Sequence, residues 1–477
     1  MKKLKNISIF ALGLALMLLT SCENFLDVNT DPNNPTEVTP PLLLTSAQSY
    51  LSYTMGGDVN RYAGLFVQHY AGVQGQAQEE YDVYNFGDDE TNNFWRFGMY
   101  AGALGDLDLL IKDSEANGSP HYAGVAKIMM AYGIGVMADL FGPVPFSQAF
   151  QFEDNLTPSY DNQQDLYNAI QALLDDGISD LNEATSVLSP GGDDLIMGGD
   201  LDAWKRFAYF IKVKYFNHLS KQDAGGSAQK ALALLGADSP AFGSSGDNAT
   251  FIFLNTPNAT NPLFQFEQQR GQIAVSKTML DDIMVPLNDP RIPMYADQNG
   301  NGDYTGAPNG TTVQDQPHIE FSGVGPFYES AASPVVLGSY FEQKFIEAEA
   351  AMRSTDQTRA YAAYLAAITA NMEYLGVDAT AMADYLAQAD VDPGEANLTM
   401  EHIMTQKYIA MFSQGAESWT DWRRTGIPAL SPAMNNLTGG VIPVRFPYPE
   451  SELTLNASNV PNAGLLDPTW FQDGTED

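Results

Sequence analysis

Apolar side chains recur at helical spacing through most of the chain. From Pro41 they fall at Leu43, Ala47 and Leu51, which predicts a helix entered through proline. Phe97, Leu104, Leu107 and Ile111 carry the same period over 94–112. Residues 121–140 are apolar almost throughout, until Phe141-Gly142-Pro143 stops them. Thr157-Pro158-Ser159 with Asp161 reads as the start of a further helix, whose Leu166, Ile170, Leu174, Ile178 and Leu181 line one face. Trp204, Phe207, Ile211, Tyr215 and His218 repeat the steps of three and four. The period returns from Tyr340 to Leu375, with Phe345, Ala348 and Met352 facing one way, and again from Leu398 to Phe412.

The middle breaks the pattern. From about 224 to 334, Gly, Asn, Asp, Ser and Pro are dense and apolar residues come in short clusters such as Phe251-Ile252-Phe253. This predicts loops with short strands or helices set into a helical frame. The expected architecture is mainly α, with a single body over 42–477 and a loop-rich insertion at about 224–334. Antiparallel helix pairs fit the spacing, although no clean repeat of about 34 residues is present.

The N-terminus reads as an export signal. Lys2, Lys3 and Lys5 precede an apolar stretch, Ile7 to Leu19, that is short for a hydrocarbon core of about 30 Å. It ends in Leu19-Thr20-Ser21-Cys22, the form of a bacterial lipobox. Small residues let a peptidase approach the backbone, and the thiol takes a diacylglycerol through a thioether. Residues 1–21 are thus expected to be removed, leaving Cys22 acylated by palmitate-class chains. Several such chains, at about 0.8 kcal/mol per buried methylene, anchor firmly. Residues 22–41, rich in Asn, Pro and Asp, read as the lipidated tether.

Charge and cysteine exclude more than they select. Against 23 basic groups stand 59 acidic ones, a formal charge of −36, which opposes nucleic-acid binding because phosphate recognition relies on lysine and arginine. Cys22 is the only cysteine, so no intrachain disulfide, four-cysteine zinc site or CxxC pair can form. The histidines (His69, His121, His218, His318, His402) never fall into HExxH or HxH spacing. No GxSxG occurs. Gly271 to Thr278 resembles a P-loop but puts Ser276 at the second glycine, and reads instead as a helix start capped by Ser276. A glycosidase would need two placed carboxylates, and 59 acids nominate no particular pair. The chain is therefore expected not to be an enzyme and to require no cofactor.

Several segments together resemble the SusD/RagB family of outer-membrane nutrient-binding lipoproteins, in its SusD-like branch. They are Cys22 to Asp27 after the lipobox, 137–150 (MADLFGPVPFSQAF), 157–170 (TPSYDNQQDLYNAI), 203–221 (AWKRFAYFIKVKYFNHLSK), 333–353 (SPVVLGSYFEQKFIEAEAAMR) and 406–428 (QKYIAMFSQGAESWTDWRRTGIP), followed by Ile442 to Arg445 and Tyr448-Pro449. The resemblance implies a TPR-like scaffold of about four helix pairs. It also implies a role at the outer membrane, facing the cell surface: capture of a nutrient and delivery to a SusC-like TonB-dependent barrel. The acidic Glu23, Asp27 and Asp31 after Cys22 resemble a surface-export signal. An oligosaccharide is the first ligand expected. A peptide, as for RagB-type lids, and a surface glycoside hydrolase are the alternatives.

Candidate ligand contacts are aromatics in polar surroundings: Tyr81 and Tyr84 in EEYDVYNFGDDE, Trp95 beyond it, and Tyr304, Phe327 and Tyr328 in the insertion. Sugar C–H faces pack on flat rings while Asn, Asp and Gln meet the hydroxyls. Trp419, Trp422, Arg423 and Arg424 form the densest unusual cluster. Their place after an amphipathic helix predicts structural packing, with the arginines paired to carboxylates. Asp297, Asn299, Asn301 and Asp303 sit at alternate positions with Gly302 sixth, like the first half of an EF-hand loop. Pro308 stands where the closing Glu belongs, so a structural calcium would need further oxygens, and an Asn/Gly turn accounts for the same residues.

Overall fold

A computed structural model describes residues 38–236, 239–312 and 317–476. The expected leader at 1–21, Cys22 and the expected tether as far as residue 37 lie outside the described residues.

Four pairs of neighbouring helices carry the frame: Pro40–Thr54 with Leu104–Asn117, Pro120–Phe141 with Gln163–Leu181, Leu201–His218 with Ala224–Ala233, and Tyr340–Arg353 with Gln357–Tyr374. The expected period builds all but Ala224–Ala233, which opens the stretch expected to be loop-rich and is helical instead. Leu166, Ile170, Leu174, Ile178 and Leu181 are all buried on one face of Gln163–Leu181. Each such side chain contributes about 1.5–3 kcal/mol by leaving water. Side-chain caps set several starts: Asp200 accepts from Ala203 N at 2.9 Å, and Ser339 and Asp356 cap the later pair. Pro120–Phe141, apolar enough to cross a membrane, is buried on nearly every side and is the central core helix.

Two further details depart from the sequence reading. Phe97 is 55% exposed instead of facing the core, because 94–103 winds as a π-helix. Its i→i+5 turns change the angular step between residues, so the apolar phase is lost until Leu104 restores it. The helix expected at Thr157 begins at Gln163. Asp161 is spent elsewhere, accepting from Phe146 N, Ser147 N and the Ser147 hydroxyl.

The insertion is made of short pieces pinned by two small antiparallel sheets. Tyr70–Gly72 pairs with Ile273–Val275, Tyr70 opposite Val275. Ala249–Ile252 pairs with Pro334–Gly338 across a bulge at Ala249/Thr250. Ser276 caps the following turn as expected, accepting from Met279 N at 3.0 Å.

At the centre, five helices bury charges against one another. Glu417 meets Lys214 at 2.7 Å, His218 at 3.1 Å and Lys407 at 3.3 Å. Arg424 holds Glu349 through two bonds of 2.8 and 2.9 Å and also binds Asp421. Burial alone would lower the His218 pKa, but the Glu417 and Asp139 carboxylates override it and raise it to about 9. Glu349 answers burial in the same way, held well below the usual carboxylate range by Arg424 and Arg353. Trp419 is fully buried with its Nε1 donating to Pro443 O at 3.0 Å. Arg423 stacks over Trp419 at 4.1 Å but donates to the Asp139 and Val444 carbonyls instead of a carboxylate. The Trp/Arg cluster is therefore structural.

Candidate ligand cleft

Pro40–Thr54 does not end where it leaves α-helical geometry. It continues through a π-turn, Met55–Val59, into Asn60–Phe66, with a break in helical dihedrals at Gly57. Close approach requires glycine at 56 and leaves little room at 57. A Cβ on Gly56 would come within 2.3 Å of Val335 Cγ2, and one on Gly57 within 3.3 Å of Pro262. The bend brings Tyr53, Asp58 and Arg61 to one edge.

The helix Pro262–Arg270 stands opposite. Asn261 fixes its start, its Oδ1 accepting from Leu263 N at 2.8 Å and Phe264 N at 3.2 Å while its Nδ2 donates to Ser333 O at 3.0 Å. Gln265, Phe266, Gln269 and Arg270 project from it into the space between. Gln76, Tyr81, Asp89, Glu90 and Asn93 close the third side. Together they enclose a cleft of about 370 Å³.

Its walls are tied together but leave polar groups facing inward. Arg61 binds Asp58 at 2.7 Å and lies 3.9 Å over the Phe266 ring, so its guanidinium is neutralised on one side and stacked on the other. Tyr53 donates to Gln265 Oε1 at 3.2 Å, bridging the mouth. Tyr62 and Tyr81 pack edge to face at 5.0 Å beneath. Burial, then the bond to Asp89, raises the Glu90 pKa to about 7, while Asp89 is lowered by the same bond. Glu90 therefore keeps its proton to higher pH than an ordinary carboxyl. With Arg61 and Arg270 set against Asp58 and Asp89, the cleft is close to neutral inside a chain of −36.

Of the aromatics singled out in the sequence, only Tyr81 lines this cleft, and it is 5% exposed. The others do not gather into a surface. Tyr84 is buried, its hydroxyl accepting from Ala433 N at 3.0 Å. Trp95 is buried against Phe141 at 4.7 Å and Tyr100 at 5.0 Å, touching a separate groove beside Arg96, Phe150 and Leu156. Tyr328 is buried between Tyr295 and Phe412, at 5.4 and 5.2 Å. Tyr304 and Phe327 are half-buried against the main core. The expectation of exposed rings is corrected: Tyr81, Tyr84, Trp95 and Tyr328 turn inward, and even Asp82 between the two tyrosines is buried, since ring burial outweighs local polarity.

The EF-hand-like loop closes on its own bonds. Asn299 is buried, its Oδ1 accepting from Asn301 N and Asp303 N, both at 3.0 Å, and its Nδ2 donating to Glu320 O at 2.9 Å. This is an Asx turn, and the one buried oxygen of the motif is committed to backbone N–H groups. Asp297, Asn301 and Asp303 are exposed around it. Among the described residues no cluster of three or more His, Cys, Asp or Glu is placed to hold a metal.

The family model described as "Starch-binding associating with outer membrane", SusD-like in name, matches residues 32–449. The chain belongs to the SusD-like family. Among solved structures, a chitin-binding protein is 27% identical with a TM-score of 0.77, over 91% of this chain and 100% of its own. A SusD/RagB family protein from Bacteroides thetaiotaomicron is 24% identical at 0.75, over 92% and 100%. A chitin-binding SusD homolog from Flavobacterium johnsoniae is 23% identical at 0.76, over 91% and 98%, and speaks to the fold alone. A comparison with curated proteins gives no match.

SusD-like proteins are glycan-binding, outer-membrane-associated proteins and not enzymes. In this SusD-like chain the cleft residues Tyr53, Asp58, Arg61, Asn93 and Gln265 escaped sequence reasoning. Only Tyr53 could have been flagged, as an aromatic off the apolar face of the first helix. The rest are ordinary polar residues brought together by a glycine-dependent bend.

Proposed function

We propose that the protein binds a neutral oligosaccharide in this cleft and, anchored through Cys22 at the outer-membrane surface, hands it to a SusC-like TonB-dependent transporter. The near-neutral electrostatics of the cleft carry the reading. Amide, hydroxyl and carboxyl groups with both donor and acceptor capacity line a space floored by tyrosine rings, which suits sugar hydroxyls and C–H faces. A strongly anionic glycan would meet Asp58, Asp89 and the acidic body. The relationship to a chitin-binding protein supports N-acetylated sugars as the first class to try. The cleft is open at the mouth, which suits capture followed by release. An affinity near 1 mM needs only about 4 kcal/mol, within reach of one ring contact and a few hydrogen bonds.

Calorimetry against neutral glycan oligomers, anionic glycans and mixed peptides tests this. Neutral oligomers are expected to bind in roughly the micromolar to millimolar range, and Asn93→Ala and Gln265→Ala each to weaken them about tenfold, as for a lost hydrogen bond. Binding of peptides alone, or of sugar undiminished in both variants, would defeat the ligand class or the site respectively. Retention of the transporter barrel on the purified lipoprotein checks the delivery step.

A further inference from the structure

The polar cleft does not end at Tyr53. A second cavity of about 460 Å³ begins there, lined by Ser49, Tyr50, Leu195, Phe251, Ile252 and Leu254 among others, and Tyr53 belongs to both. The two share their walls as well. On one side the same helix supplies Ser46, Ser49, Tyr50 and Tyr53 to the second cavity and, past the Gly57 bend, Asp58 and Arg61 to the first. On the other side one stretch of chain supplies Phe251 to Thr260 and then Pro262 to Arg270. Gln265 ties the halves, accepting from Tyr53 and donating to Thr260 O at 2.7 Å. The two cavities adjoin at Tyr53, one lined mainly by polar groups and the other mainly by apolar ones.

The apolar half is unusual for its exposure. Tyr50, Tyr53, Leu195, Ile252 and Leu254 are 48, 47, 44, 65 and 60% exposed, on a protein that buries its other aromatic clusters. Contiguous exposed apolar surface of this kind marks a binding site. Ser46, Ser49, Asn258 and Thr260, which complete its polar lining with the two tyrosine hydroxyls, carry no charge. A Tyr with its ring in the apolar half and its hydroxyl bonded at the polar mouth suits a junction between a sugar and an apolar group.

We infer that the two act as one groove and take an amphipathic glycan: a neutral oligosaccharide bearing an acyl or alkyl substituent, with the sugar in the polar cleft and the substituent against Tyr50, Ile252 and Leu254. This rests on the glycan reading of the cleft and adds the class of glycan. The substituent gains from leaving water, and the ring and chain walls give it no specific end point, so affinity rises with its length.

Titration of methyl, hexyl and octyl glycosides of the sugar that binds, below their micelle concentrations, reads this directly. Octyl is expected to bind at least tenfold tighter than methyl. In the double variant Ile252→Asp, Leu254→Asp, at positions exposed enough to tolerate it, the gain falls below twofold while the methyl glycoside binds as before. Octyl binding no tighter than methyl overturns the inference and leaves the cleft reading standing. A gain that survives the double variant overturns the site. Octanol binding as tightly as octyl glycoside would show an apolar surface independent of the sugar and overturn the joint groove. A methyl glycoside that does not bind at all instead removes the cleft reading, and the inference with it.

Discussion

Replacing Glu417 by Gln tests the buried charge network that fixes the frame behind the cleft. The carboxylate faces Lys214, His218 and Lys407 within 2.7–3.3 Å, all of them buried. Removing one partner of a buried pair leaves uncompensated charge and costs about 3–5 kcal/mol. One response reduces the cost. Glu342, 3.2 Å from Lys214, has its pKa raised to about 7 by burial and the carboxylates nearby. Without Glu417 it ionises more readily and takes up part of the positive charge, so the lower end, about 3 kcal/mol, is expected. Unfolding entropy of about 2.1 cal/mol/K per residue gives roughly 0.9 kcal/mol/K for a body of about 440 residues. The melting temperature should therefore fall by about 3 °C at pH 6 in calorimetry.

A pH series sharpens the test. His218, raised from 6.5 to about 9, contributes stability that is complete below its unfolded value and is lost as pH rises through about 9. Glu417→Gln removes its main counter-charge, so the decline in stability between pH 6.5 and 9 should shrink. A variant melting within about 1 °C of the parent, with the same pH slope, would refute the reasoning.

Further outcomes follow from other parts of the molecule. Glu267 has its pKa raised to about 8 by burial and Glu329, and Asp82 its own to about 7 by burial. Raised carboxyls stabilise below their unfolded values and lose that contribution as pH rises through the folded ones, so thermal stability should fall between about pH 4.5 and 8 and Glu267→Gln should flatten the curve. A rise over that range would contradict the assignment. Chelator should leave the melting temperature unchanged, whereas Asn299→Ala, which strands two backbone N–H groups, should cost about 1–3 kcal/mol in urea unfolding; a chelator-induced drop restored by calcium would show an ion in that loop. Cys22→Ala is expected to move the protein from the membrane fraction to the soluble one with its circular dichroism unchanged, and a variant still held after salt washing would refute the anchor.

The helical frame was legible because its evidence is periodic. Five apolar residues spaced along 166–181 point one way whatever surrounds them, and the structure buries all five. The Trp/Arg segment was legible as packing for a related reason: charged residues on an amphipathic helix in a chain rich in acids have partners to hand, and Arg424 finds Glu349 and Asp421. The ligand aromatics were not legible. Local polarity does not imply exposure: Tyr84 and Tyr328 sit among polar neighbours and are buried, because exposure depends on what the fold lays over a ring. The cleft itself depends on residues about 200 positions apart in sequence, Tyr53 and Gln265, meeting across a bend at Gly56-Gly57. No local pattern encodes that meeting.

The most direct test of the central claim is a crystal structure of the protein soaked with a neutral N-acetylated oligosaccharide. Sugar density between Tyr53, Arg61, Asn93 and Gln265, with hydroxyls on the amide and carboxyl groups and a ring face toward an aromatic wall, is the result predicted. Sugar bound elsewhere with this cleft holding only solvent would contradict it.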